Sequence, residues 1–315
     1  MPNLLQPLFH FLRPLVYDLT RAPLPFKSSD VTGFKILSEP LLSQMSTILP
    51  SDLVFTRLRN LYTGSKFGFS IRSLESKIMK WNAPTIMLLS GRPIDPSVTS
   101  KNKTYELFKT DFPKFYPTKK DSSGLPENPD NSRPVVFMIY IKKPWKISNS
   151  ESFGDEETYI VQLSPRQIVY KTANFNSAEF AYFNTIGGGF GFGSKPPLSK
   201  GMVRIFKPGE ISLTVEPSIE VANFRHLSVP GTFDTGSCFD KSNIPEFEIW
   251  FTISELEVWG CGTEKELEEQ RKLWEWENRE AEARKRLNVK NWDDGKALLE
   301  MAGIIGSDTR SGGSV

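Results

Sequence analysis

Nucleophile, base and metal-ligand chemistry has few places to reside in this chain. Of its two cysteines, Cys238 and Cys261, only Cys238 has a histidine and an acid close by, His226 and Asp234, all within one turn-rich stretch. A thiol hydrolase needs its base on a separate rigid element, oriented by a third group, and usually a helix that starts at the nucleophile. Cys238 runs instead into Phe239 and Asp240, so a structural cysteine is the expectation. Glu246 and Glu248 stand at i,i+2 on one face of a strand, a spacing that suits a hydrolase carboxylate pair and equally the solvent face of an edge strand. With His10 and His226 as the only histidines, neither a zinc site nor a disulfide framework is expected, and no cofactor.

The remaining candidate is the run AYFNTIGGGFGFGSK, Ala181 to Lys195, in which Gly187, Gly188, Gly189, Gly191 and Gly193 alternate with aromatic and small residues. Glycine backbones can cradle a phosphate where such a loop opens a helix. Here Ser194 and Lys195 lead into Pro196 and Pro197, which no helix interior accepts. Glycine inside a β segment marks a bulge or a close approach by a ring or another backbone. The stretch therefore reads as a buried crossing in a β core, with Phe190 and Phe192 on one face of a strand.

The elements that must carry these residues are mostly strands. Strand-like runs recur at Thr85 to Leu89, Pro134 to Ile141, Thr158 to Leu163, Ile168 to Lys171, Phe180 to Thr185, Val203 to Phe206, Ile211 to Val215, Ile219 to Asn223 and Phe247 to Trp259. Turns such as Lys207-Pro208-Gly209-Glu210 join them, the pattern of an antiparallel sandwich. Ahead of them, Ser38 to Leu49 reads as a capped helix stopped by Pro50, Asp52 to Tyr62 as a second one with Phe55, Leu58 and Leu61 on one face, and Phe67 to Ile71 as an alternating run before a helical turn or two. Residues 1–34 form a proline-broken apolar helical extension, too interrupted for a membrane span or a signal peptide. Residues 92–133 read as a loop insertion rich in Lys and Pro, expected to bury little and to be dispensable for folding. Its lysines, Lys101 to Lys120, are interleaved with Tyr105, Phe108, Phe112, Phe115 and Tyr116, a composition compatible with nucleic-acid binding and more usual for an anchored, solvated loop.

With 315 residues, 38% of them hydrophobic and 24% charged, the chain can bury a full core. Its formal charge of +2 gives no whole-molecule attraction to nucleic acid or to an anionic membrane. From Thr263 the character changes to a long charged helix over 263–290, opened by a Thr263/Glu266 capping box and supported by Glu268/Lys272, Glu275/Arg279, Glu280/Arg284 and Glu282/Arg286. It either lies on the sandwich edge or protrudes toward a partner. Leu267, Trp274 and Trp276 are its partner-binding candidates, because a merely solvated helix seldom carries such rings. A short helix from Ala297 to Ile305 and a disordered Ser/Gly tail complete 291–315.

The blocks ILSEPLLSQMSTILP, RLRNLYTGSKFGFSIRSLESK, WNAPTIMLLSG, EETYIVQLSPRQIVYKTANFNSAEFAYFNT, GGGFGFG, TFDTGSCFD and ISELEVWGCG resemble, in order, those of the TLDc domain, from about Phe34 to Gly262. The helix after them, with ALLEMAGIIG, resembles the ending of the fungal restriction-of-telomere-capping branch. Members of that branch carry a longer amino-terminal half, so a fragment, a shortened gene model and a divergent paralogue all stay open. The resemblance implies an α+β, mainly β fold: a two-sheet antiparallel sandwich over 35–262, flanked by short helices. It also implies structural roles for Gly68, the five glycines of the central run, Glu257, Trp259 and Gly260. No enzymatic activity is implied. Family members are linked to oxidative-stress resistance, and several bind peripheral subunits of the vacuolar proton ATPase and favour its disassembly. A cytoplasmic monomer recruited to the vacuolar membrane surface follows, with no direct nucleic-acid contact and at most an indirect influence on telomere capping.

Overall fold

The computed structural model describes residues 34–95, 102–116, 133–173, 179–200, 203–227, 229, 231–235 and 246–301. The apolar extension at 1–33 and the tail beyond 301 lie outside these residues. In chain order the elements are α1 (Glu39–Ser46), β1 (Arg59–Thr63), α2 (Gly64–Phe67), α3 (Ile71–Ile78), β2 (Thr85–Ile94), α4 (Lys103–Asp111), β3 (Val135–Ile141), β4 (Tyr159–Ser164), β5 (Ile168–Thr172), β6 (Ala181–Asn184), β7 (Gly189–Lys200), β8 (Val203–Val215), β9 (Val221–His226), β10 (Phe233–Asp234), β11 (Phe247–Gly260) and α5 (Glu264–Met301). The chain divides into two compact units, Met1–Glu264 and Lys265–Val315.

The strands are antiparallel, as their alternation predicts, but the expected pair of sheets is not what they form. They hydrogen-bond into one eleven-stranded sheet in the order β10-β5-β4-β3-β2-β11-β9-β8-β7-β6, with β1 paired to β11. A strongly twisted sheet this wide rarely stays open. Phe137 of β3 meets Phe224 of β9 at 4.7 Å between ring centroids, and Tyr170 of β5 meets the same ring at 5.5 Å. Phe180, just before β6, faces Phe233 of β10 from the opposite end of the order. The sheet is thus coiled on itself around an aromatic core, which gives the interior of a sandwich without a break in the hydrogen bonding.

The outer face of β2, β3 and β4 is covered by the segment from Ile36 to Phe55. Ile86, Leu88, Met138, Tyr140, Val161 and Leu163 pack there against Leu37, Leu42, Met45 and Leu49. Helix α1 begins where Ser38 accepts a hydrogen bond from Leu41 N, the cap read from the sequence. The second helix expected over 52–62 is absent: a single 3-10 turn, Phe55–Arg57, precedes β1, because Arg59, Asn60, Tyr62 and Thr63 find strand partners on β11. Likewise Phe67 to Ile71 is no strand but the junction between α2 and α3. The Lys207-Pro208-Gly209-Glu210 turn is also overturned, since β8 runs straight through it. Pro208 sits opposite Ser194 at a register shift, where a missing N–H does least harm.

The largest correction concerns 92–133. Arg92 to Ile94 belong to β2, and residues 103–111 form α4, capped by Asn102 Oδ1, which accepts from Thr104 N and Tyr105 N. Tyr105, Phe108 and Phe112 are buried in a second core with Phe206, Val221 and Trp250. Phe108 lies edge-on to Phe206 at 5.0 Å and to Trp250 at 5.3 Å. The three residues stand at i, i+3 and i+7, an apolar helical stripe hidden among lysines and prolines. Lys101, Lys119 and Lys120 lie outside the described residues.

Two outcomes follow from this packing. Phe108→Ala should lower stability by about 3–5 kcal/mol in a denaturant titration, the loss typical of a truncated core phenylalanine, and a Gly/Ser loop in place of 92–133 should abolish the cooperative transition. The second concerns alkaline pH. Burial pushes the hydroxyls of Tyr62 and Tyr105 up to about 12 and those of Tyr159, Tyr170 and Tyr182 higher still. Above about pH 10 the unfolded chain releases these protons while the native one retains them, so stability, complete below that pH, declines as pH rises. The tyrosinate absorbance of these five buried residues should appear together with loss of circular dichroism.

Candidate functional site

Strand β11 ends in Glu255-Leu256-Glu257-Val258-Trp259-Gly260, and its two acids are buried carboxylates engaged by other parts of the chain. Strand alternation would put Glu255 and Glu257 on the same face, and both are fully buried. Glu257 Oε1 accepts from Lys35 N and Ile36 N at 2.9 Å each, and Oε2 from Leu37 N at 3.1 Å. The Trp259 indole, two residues on, donates to the same Oε2 at 3.1 Å. Glu255 Oε1 accepts from Ser65 N at 2.9 Å, while its Oε2 pairs with the Lys35 ammonium at 3.3 Å. A buried carboxylate is tolerable only when its lone pairs are filled this way. Phe34 closes the arrangement by meeting Trp259 edge-on at 4.6 Å. Gly260 has no room for a side chain, since a Cβ would fall 2.4 Å from the Trp81 ring. Gly68 turns at φ +84°, and its carbonyl accepts from the Tyr62 hydroxyl.

The central glycines form a different place. Gly189 (φ +67°) and Gly193 (φ +70°) occupy the left-handed region, and a Cβ on either would fall within 2.1 Å of a backbone oxygen of β8. Gly191 lies under the Tyr182 ring, Gly188 against Pro197 and Asn184, and Gly187 beside the Arg204 guanidinium. Phe190 and Phe192 are both buried on one face. The run is the β6–β7 hairpin: Gly187 and Gly188 lie in its turn, and Gly189, Gly191 and Gly193 lie on β7, in place of the buried crossing expected.

Of the residues proposed for nucleophilic or acid–base work, His226 and Glu248 are each engaged by their own neighbours. Cys238 lies outside the described residues. His226 is buried between Phe247, stacked at 5.1 Å, and Tyr170 at 5.7 Å. Glu248 accepts from Arg225 Nε and Nη2 at 3.0 and 2.7 Å and from the Trp250 indole at 2.9 Å. Arg225 also donates to Pro113 O at 2.5 Å and lies over the Phe112 ring at 5.1 Å, so this pair fastens the segment after α4. Sequence reading passed over that clamp, and over Glu216, whose carboxylate accepts from Ser218, Glu220 and Val221 N to close the β8–β9 turn. The only sequence signal for Glu216 is an acid two residues before a serine after a strand.

Helix α5 continues through Asn291, where a break between two helices was expected, and is one helix to Met301. Of the expected pairs, Glu280/Arg284 closes at 2.7 Å and Glu268/Lys272 at 3.9 Å. Arg279 instead reaches the Glu275 backbone carbonyl, and Arg271 takes both Glu268 and Glu275. Such exposed pairs contribute little each. Leu267 is buried, Trp274 half-buried and Trp276 52% exposed, so of the three candidates Trp276 offers a partner the most ring surface. Among the described residues no cluster of three or more His, Cys, Asp or Glu could hold a metal, and no helix is long and apolar enough to cross a membrane.

Because four donors converge on one carboxylate, Glu257→Ala should cost at least about 3 kcal/mol in chemical denaturation. Glu257→Gln, which keeps an acceptor oxygen, should cost less. Equal stability of the alanine variant and wild type would show that the 35–37 strap holds by apolar contact alone.

Comparison with known proteins places this geometry. The TLDc domain matches residues 32–262. Over its whole length the chain is 44% identical to Restriction of telomere capping protein 5 of Komagataella phaffii, 43% to that of Lachancea thermotolerans and 41% to that of Saccharomyces cerevisiae. It covers 54%, 55% and 55% of those proteins respectively, so it spans about half the length of the curated relatives it matches. Both the family blocks and the Glu257-Val258-Trp259-Gly260 end that anchors the amino-terminal strap lie inside the matched region, and the chain belongs to the TLDc-domain family.

Proposed function

We propose that this chain is a non-enzymatic protein-interaction module that binds peripheral subunits of the vacuolar proton ATPase and favours its disassembly under stress. The observation that carries the reading is TLDc membership over 32–262, joined to a long helix that displays Trp276. Buried carboxylates supply a further argument. Glu216 and Glu257 have both carboxylate oxygens occupied by backbone N–H groups, and Glu255 accepts from Ser65 N and ion-pairs with Lys35, which suits structural anchoring better than proton transfer. Recruitment from the cytoplasm to the vacuolar surface would follow from the partner. The relatives' name refers to telomere capping, and any such influence of this chain would be indirect. Nucleic-acid binding through 101–120 is the weaker reading, because Tyr105, Phe108 and Phe112 spend their ring faces inside the fold.

Leu267, Trp274 and Trp276 form the proposed contact, with Trp276 as its anchor. Trp276→Ala in the full chain should leave the melting temperature unchanged and weaken binding to the purified peripheral sector at least tenfold, about 1.4 kcal/mol. Truncation after Gly262 should do the same. Undiminished binding by both would move the contact to the β domain, and affinity purification that returned RNA-protein complexes instead of pump subunits would replace the reading.

A further inference from the structure

The sheet face beneath α4 contains polar groups that the protein itself leaves unsatisfied. Asn223 of β9 stands directly opposite Trp250 of β11 on one side and Thr214 of β8 on the other. Directly opposed residues of antiparallel strands share a face, with their Cβ atoms about 4.5–5.5 Å apart. Tyr105 of α4 comes down on the same indole edge-on, ring centroids 5.7 Å apart. Asn223 and Tyr105 are both 0% exposed. Neither the amide nitrogen nor the amide oxygen of Asn223, nor the hydroxyl of Tyr105, has a hydrogen-bond partner among protein atoms. One step further along the face, past Thr214 and beside Gly191, Ser194 Oγ is in the same position.

A carboxamide carries two donors and two acceptor lone pairs, and a hydroxyl one donor and two. Burying such groups dry is unfavourable; the apolar neighbours Phe108, Phe112, Phe206 and Val221 have no side-chain polar atoms to offer, and the hydroxyl of Thr214, opposite Asn223, is engaged with Tyr182. A covering helix would not settle on such a seam unless something filled it. We propose that Asn223 and Tyr105 form an internal hydration site, in which bound water joins α4 to the coiled sheet. The Tyr105 hydroxyl donates to the water, the water donates to Asn223 Oδ1, and Asn223 Nδ2 donates to the same or a second water. Three bonds of this kind are what a buried water makes in a folded interior. The tyrosine remains a donor at neutral pH, since burial above all, and then Glu106, Asp95 and Glu248, push its hydroxyl up to about 12. Water is the fitting occupant because the groups are uncharged, mix donor and acceptor, and lie in a wall of packed rings.

The full chain tests this in two ways. A high-resolution crystal structure should show ordered water within about 3.2 Å of both Asn223 and Tyr105. In thermal denaturation, Tyr105→Phe and Asn223→Leu should each lower the midpoint by about 2–4 °C, and the double variant by less than the sum, because both changes remove the same water. A dry site, a bound molecule larger than water, strictly additive shifts, or a Tyr105→Phe variant that melts at or above wild type would each overturn the proposal. Should Asn223→Leu fail to fold, Tyr105→Phe and the density decide it.

Discussion

Four hydrogen bonds to one buried carboxylate hold this domain in its form. Glu257 takes the backbone N–H groups of Lys35, Ile36 and Leu37 and the indole of Trp259, so a side chain from the last sheet strand receives the first described residues of the chain. Strand β11 is suited to this because it is central: β2 flanks one edge along its length, while β9 and β1 divide the other. Docking 35–37 there sets the path of α1, and α1 then covers the outer face of β2–β4. Without filled lone pairs the carboxylate would be expelled from the interior and the strap with it.

On another stretch of the same strand, Glu248 does for α4 what Glu257 does for the amino-terminal strap. It fixes Arg225, which reaches Pro113 O and lies over Phe112. Here the acid acts through an arginine and the contact is mainly aromatic, with Phe108, Phe112, Phe206 and Trp250 in one cluster. Acids of β11 thus fasten two covering segments, one by backbone amides and one by a guanidinium. Both are occupied with the fold, and that occupation bears on function more than any vacant cleft does.

A domain whose buried acids and aromatic residues are engaged in packing is well suited to work through its surface. The exposed ring of Trp276 stands on a helix that carries its own ion pairs, and this is the place where the second compact unit departs from the logic of the β domain. Binding energy at interfaces concentrates in a few rings of this kind, whereas single exposed ion pairs beside them add little.

Much was legible in the residues alone. Alternation placed most strands within one to three residues, Ser38 named a cap, and the proline pair after Gly193 argued against a helix-opening loop and for a β segment. These are local matters: period, cap chemistry and the steric limits of proline act over a few residues and need no partner. The single coiled sheet, by contrast, depends on which strand edges meet, and α+β patterning is the same for one rolled sheet or two stacked ones. Whether 55–62 became helix or strand was settled by β11 offering a free edge, and whether 103–112 became loop or core by Trp250 and Phe206 waiting beneath it. Most of all, Glu257 reads in sequence only as an acid in a strand. Its three amide partners lie more than 200 residues away, and only the closed fold brings donors and acceptor within hydrogen-bond reach.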